Sequence, residues 1–334
     1  MRPRAPSLRS VARLAGCLVG PWVLYAAVQE HARPPLQPPA PAVAVRPAEL
    51  TGLEGYGCAS CHETVAREWA RTTHALAWLD EVYQAELATK KRPELCHGCH
   101  APEPLLAGVF SARPDARETL REHGVACESC HQDETGAIHG PRGTPTEAHP
   151  SRASEFLTAP GSNQLCAACH STNIGPVIGI AKDALPFLAE RGLTCVGCHL
   201  APVEQSFASG APVRLGRSHE LQTPRDPAFL RRAFGLALEH GASGPVLVLR
   251  NQAGHRVPGL IGRQIAFEAE LLDAAGAVLA RQELVIDERA YLPLDGKREI
   301  RFTQAGAALR VRGRHRDPRA AEAVPFLDET LLAQ

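Results

Sequence analysis

Five short stretches of one pattern constrain this chain more than anything else in it. They are "CASCH" at 58–62, "CHGCH" at 96–100, "CESCH" at 127–131, "CAACH" at 166–170 and "CVGCH" at 195–199. Every cysteine except Cys17 falls in one of them, and a histidine follows the second cysteine each time. C-x-x-C pairs by themselves suit a zinc site, a disulfide or a redox dithiol, but none of these needs a histidine directly after each pair. With 15 His in 334 residues, five chance repeats of that histidine have a probability on the order of 10⁻⁷. C-x-x-C-H is the attachment sequence of c-type haem, in which two thioethers bind the macrocycle and the adjacent imidazole ligates the iron. The pattern assigns five covalently attached haem c groups. Their attachment points are Cys58 and Cys61, Cys96 and Cys99, Cys127 and Cys130, Cys166 and Cys169, and Cys195 and Cys198. The proximal iron ligands are His62, His100, His131, His170 and His199; His97, inside the second motif, reads as a residue of the attachment loop.

Composition fits this. Aromatic residues are 5% of the chain, too few to fill a core unaided, and large apolar macrocycles supply the missing bulk. A haem segment of this kind consists of helical pieces and long loops. The formal net charge is +0 with no basic block, which gives no footprint for nucleic acid and no polybasic membrane patch.

The N-terminus places the haem chemistry outside the cytoplasm. "MRPRAPSLRSVAR" followed by "LAGCLVGPWVLYAAV" is a basic region and an apolar run, the pattern of a secretory signal. As a helix that run spans about 22 Å, short of a hydrocarbon core of about 30 Å, so export with cleavage is favoured over an uncleaved membrane anchor. "LAGC" matches a lipoprotein box only superficially, because the apolar run follows Cys17 instead of preceding it. "RPPLQPPAPAVAVRP" at 33–47 reads as a semi-rigid spacer.

The second axial ligands follow by elimination. Met occurs once, at position 1, so a methionine cannot serve, and histidine is the remaining common partner. His74 follows Val65 and Trp69 at near-helical spacing in "HETVAREWARTTHALAWL". His139 in "TGAIHGP" and His149 in "EAHPS" lie in Gly/Pro-rich loops, His219 follows the last motif, and His255 lies in "NQAGHRVPG". These five are the candidate distal ligands. His123, His240 and His315 lie on polar or charged stretches and read as surface or satisfied loop histidines.

After about residue 240 the text changes. "GPVLVLRN", "RQIAFEAELL", "GAVLARQELVID", "KREIRFT" and "AALRVRG" are short β-rich runs separated by turns such as "DAAGAV" and "LDGK". They predict a small antiparallel β-sandwich-like domain. The domain reading is a signal peptide or anchor at 1–30, a linker at 31–50, a mainly α and irregular pentahaem cytochrome c domain at 51–235, and a β-rich domain at 240–334.

"YGCASCHETVAREWARTTHALAW", "LCHGCHAPEP", "HGVACESCHQDETGAIHGP" and "LCAACHSTN" resemble, in that order, the motifs of multihaem cytochromes c of the cytochrome c-554 type. "SHELQTPRDPAFLRRAF" and "NQAGHRVPGLIGRQIAFEAELLDAAGAV" are similar to the C-terminal β extension of many periplasmic multihaem proteins. The resemblance covers roughly residues 55 to 310. It implies bis-His haems packed in close pairs, electron passage between periplasmic or membrane redox proteins, and distal roles for His74 and His139. A fifth motif and the added β-domain depart from the type.

The first functional expectation is thus a periplasmic electron-transfer cytochrome. The alternative is an oxidoreductase acting on a small nitrogen or sulfur compound at one open iron. That alternative lacks the C-x-x-C-K signature of one nitrite reductase family. A third is a structural subunit whose β-domain docks a larger membrane complex.

Overall fold

A C-x-x-C-H pentapeptide closes easily into a helical turn, and residues three apart on such a turn share a face. Both thiols of a motif then project to one side, with the histidine following. The structure, a computed structural model, describes residues 56–107, 113–174 and 179–332; the expected leader and linker, 1–30 and 31–50, lie outside them. All described residues belong to one compact unit.

The motifs form short helical pieces in chain order. The first occupies a 3₁₀ turn at Gly57–Ser60 that leads into α1, Glu63–Ala70. Helix α2, Glu81–Leu87, is capped by Asp80, whose Oδ1 accepts from the Tyr83 amide, an N-cap worth about 1 kcal/mol. The second motif ends α3, Glu94–His100, the third is α4, Cys127–His131, and the fourth ends α5, Ser162–His170. Helix α6, Ala181–Arg191, stops at Gly192, whose φ of 61° is the left-handed C-terminal signal. The fifth motif is α7, Cys195–His199. Helix α8, Pro227–Arg231, starts with proline after an Asp226 cap.

Loops between these pieces are held by polar anchors. Arg117, 7% exposed, donates to the carbonyls of Leu120 and Gly124 and to Ser129 Oγ. Trp69 Nε1 donates to the Val125 carbonyl at 2.9 Å. Gly98 of the second motif is required by close approach, since a Cβ there would meet the Pro114 carbonyl oxygen at 1.7 Å.

Strands begin within the motif region. Strands β1, Ile138–Gly140, and β2, Ser151–Ala153, pair in parallel. Strands β3, Leu200–Gln205, and β4, Arg214–Leu221, form an antiparallel hairpin that leaves directly from the fifth motif. This hairpin was not anticipated from the sequence.

The remaining strands make two antiparallel sheets. One has the order β5-β6-β9, with β5 at Phe234–Gly241, β6 at Gly244–Asn251 and β9 at Lys297–Arg301. The other has the order β11-β10-β7-β8. Its strands are β7 at Gln264–Leu272, β8 at Val278–Ile286, β10 at Ala308–Arg316 and β11 at Val324–Leu332. Alternate residues of β10 are buried, which is the period-2 signature of a strand with one face inward. Leu247 and Leu249 from one sheet meet Phe267, Leu309 and Val311 from the other in a single core. Phe234 and Phe267 make an edge-to-face pair with centres 4.9 Å apart, a favoured aromatic geometry. The sequence reading found five of these seven strands and missed β5 and β11. "FGLALEHG" and "VPFLDETLL" alternate too weakly to stand out.

Candidate haem sites

Four of the five proximal candidates are oriented from behind by the main chain. The Nδ1–H of His62 donates to the Phe207 carbonyl. Those of His100, His131 and His199 donate at 2.7 Å to the carbonyls of Ala77, His139 and Gln222. Assigned this way, the bonds fix the tautomer and leave Nε2 free as a metal ligand.

Four of the five proximal rings face a second imidazole. Ring centres of His62 and His149 are 6.4 Å apart, and those of His170 and His74 are 6.2 Å apart. His131 and His219 stand at 6.2 Å, and His199 and His255 at 6.4 Å. An imidazole nitrogen lies about 2 Å from a bound metal and about 1 Å from its own ring centre, so two rings across one iron have centres about 6 Å apart. All four separations match that span. They are too long for direct ring stacking and too uniform for unrelated loops.

For five of these rings burial favours the neutral imidazole, the form that binds a metal. His74 is held at about 4 by burial, with the nearby His170 and His199 adding to it. His219 is held at about 4 by burial and then by His131. Burial also lowers His131, His170 and His255.

His139 takes a different place from the one expected of a distal ligand. Its Nε2 bonds Asp133 Oδ2 at 2.8 Å, which also accepts from Arg152. The cause is local. Asp133 Oδ1 gathers the amides of Thr135 and Ala137 and the Thr135 hydroxyl. That turn, two residues past His131, draws the ring of His139 to the carboxylate. Its contribution to the third site is its backbone carbonyl, which orients His131.

His100 also differs. No histidine ring lies across from it among the described residues; Tyr83 stacks on it instead, 3.6 Å away centre to centre and 8° from parallel. Nothing in the sequence pattern singled out Tyr83. Of the other histidines, His97 packs edge-on against Trp78 and His123 against Tyr56. His240 is exposed on β5, while His315 is buried on β10 at 2% exposure. The last departs from the surface or loop reading, because alternation along β10 turns the residue inward.

The ten motif thiols carry no disulfide. Among the described residues no group of three or more His, Cys, Asp or Glu side chains gathers as a metal cluster, so the thiols are not arranged as tetrahedral zinc sets. Thiols of different motifs do come close: Cys58 to Cys127, Cys99 to Cys169, and Cys166 to Cys195. The donors on the page therefore fit haem c: unpaired thiols in helical turns, oriented imidazoles, and a second imidazole across an iron-sized gap at four sites.

Comparison with known proteins agrees. The family described as cytochrome c554 and c-prime matches residues 57–132. No curated protein matches the chain. Among solved structures, a penta-heme cytochrome c552 from Thermochromatium tepidum shares the fold at a TM-score of 0.56 and 17% identity, over 83% of this chain and 97% of that one. Motifs, family match and fold together make the chain similar to the multihaem cytochromes c, with the cytochrome c554 pattern over residues 57–132.

Proposed function

We propose that this chain is an exported electron-transfer cytochrome with five covalent haem c groups, exchanging electrons with periplasmic or membrane redox proteins. Cys58 and Cys61, Cys96 and Cys99, Cys127 and Cys130, Cys166 and Cys169, and Cys195 and Cys198 attach them. The axial pairs are His62 with His149, His170 with His74, His131 with His219, and His199 with His255. The carrying observation is the uniform ring separation of 6.2–6.4 Å in these four pairs.

A bound haem supplies a one-electron iron couple, lowered in potential when both axial ligands are histidine. The protein's own residues do the rest. Backbone carbonyls hold four of the proximal tautomers, burial favours neutral imidazole at His74, His131, His170, His219 and His255, and the motif turns present paired thiols. Losing such an outer-shell partner typically costs 10–100-fold in metal affinity or activity.

A second reading rests on His100, which has no opposing imidazole among the described residues. An iron held there with an open face would bind a small nitrogen or sulfur compound, and the chain would then act on a substrate. Optical and EPR spectra of the fully loaded, oxidised protein test both readings. Electron transfer through mostly bis-His irons predicts four low-spin components and one high-spin component. Reaction with nitrite or hydroxylamine at the high-spin iron, with turnover, would move the assignment to an enzyme. His255→Ala is expected to convert one further component from low to high spin. An unchanged spectrum from that variant would remove His255 from the ligand set.

A further inference from the structure

The ligand assignments leave Tyr83 unused, although it is buried at 8% exposure and lies flat on the ring of His100. At 3.6 Å between ring centres no macrocycle fits between them, whereas an iron-bridged pair needs about 6 Å. Tyr83 therefore stands on the same side of the iron as His100 and is excluded as its sixth ligand. Its hydroxyl is buried without a hydrogen-bond partner among the described residues.

The phenol ring is itself held in place. The Tyr83 amide donates to Asp80 Oδ1 at 2.8 Å. Asp80 Oδ2 accepts from Arg319 Nε, and Arg319 lies on the segment between β10 and β11 of the sandwich. That ion pair is largely enclosed, with side-chain exposures of 22% for Arg319 and 17% for Asp80. The segment just before α2 supplies the Ala77 carbonyl that receives the Nδ1–H of His100. Residues 77–83 thus touch His100 twice, on its edge through a carbonyl and on its face through a phenol ring, and Arg319 grips the Asp80 cap between the two contacts.

We infer that Tyr83, held through Asp80 by Arg319 of the β-sandwich, is a positioning residue that fixes the rotation of the His100 imidazole and shields it from water. The inference rests on the reading of His100 as an iron ligand. At the four paired sites two imidazoles share the ligation, whereas at this site a single ring carries it. Its orientation and hydration then set ligand basicity and redox poise. The β-sandwich acquires a role here beyond its own folding, because it reaches the one proximal histidine without an opposing imidazole among the described residues.

The test uses the fully loaded chain, with redox titration followed optically and by EPR. In Tyr83→Leu, water reaches the ligand and favours the more positively charged oxidised iron. The equilibrium of the high-spin component is expected to shift about tenfold toward the oxidised form, about 59 mV for one electron. Its EPR line shape changes with it, while the other four components stay put. Tyr83→Phe keeps the ring and is expected to remain within about twofold of the native chain. Arg319→Gln is expected to move the same component in the same direction by less. A Tyr83→Leu chain whose high-spin component keeps its native potential and line shape overturns the inference. So does a uniform shift of all five components with a lowered melting temperature, which would mark a merely structural residue. If Tyr83→Leu fails to fold, Arg319→Gln decides on the same readout. Failure of the ligand assignment is seen separately and first: the native protein would lack a high-spin component, or His100→Ala would leave it unchanged.

Discussion

The two halves of the molecule are filled in opposite ways. The sandwich buries Phe234, Leu247, Leu249, Phe267, Leu309 and Val311 at 0–1% exposure, a close-packed apolar core of ordinary kind. The motif region buries mostly alanines, among them Ala66, Ala75, Ala101, Ala126 and Ala137, together with polar Ser129, Asn163 and Arg117. Its apolar cluster of Tyr56, Trp69, Ala70, Ala75 and Ala126 is small. The two regions thus differ in what they need in order to fold. One brings its own filling, and the other is a scaffold of turns built around groups added later.

The sharpest break between them is expected when attachment is withheld. Expressed without haem attachment, residues 234–332 should retain slow amide exchange while residues 56–231 lose most of their protection, because apolar burial there is too sparse to offset chain entropy. Equal protection in both regions would defeat the comparison. Next in size is Phe267→Ala, which empties part of the sandwich core and should cost about 3–5 kcal/mol in denaturant unfolding while the haem spectra stay native.

A third effect is acid sensitivity in the sandwich. Burial, and then the nearby Arg263, hold His315 at about 4, against the opposing influence of Asp317. Above about pH 6.5 it is neutral in folded and unfolded chains and contributes nothing. Between about 6.5 and about 4 only the unfolded chain takes up the proton, so stability falls as pH falls, by up to about 3 kcal/mol. His315→Leu should flatten that slope in unfolding measured against pH. The smallest effect belongs to the exposed Arg310–Asp328 pair on β10 and β11. Arg310→Ala should leave the denaturant midpoint close to that of the native chain, as for most exposed ion pairs, and a clear loss would show that the strand edge depends on it.

The two regions also differed in how far they could be read from sequence. The five attachment motifs were legible because thioether chemistry fixes residue types at fixed spacing. His74, His149, His219 and His255 could be singled out by elimination, and the structure sets each across from a proximal ring. Which ring faces which could not be read, since His74 and His170 meet across nearly a hundred positions of chain. His139 could not be separated from them, because what draws it away is the turn nucleated by Asp133. Most sandwich strands showed through their alternation. The β3–β4 hairpin did not, because its residues answer to the neighbouring motifs instead of to a core of their own. Tyr83 carried no signal, since a stacking partner is defined by where a ring lies and not by its spacing.

The contacts between thiols of different motifs bear on how the molecule is made. Cys58 lies close to Cys127, and Cys166 close to Cys195, so under oxidising conditions, which favour disulfides, these thiols are within reach of one another. A chain that collapsed before receiving its groups would bring together sulfurs from the wrong partners and close cross-links that block both motifs. Order of assembly is therefore part of the design: the motifs must be loaded while the chain is still extended, or its thiols kept reduced until they are. The closeness of the motifs in the folded chain makes the chain vulnerable to oxidation before its groups are attached.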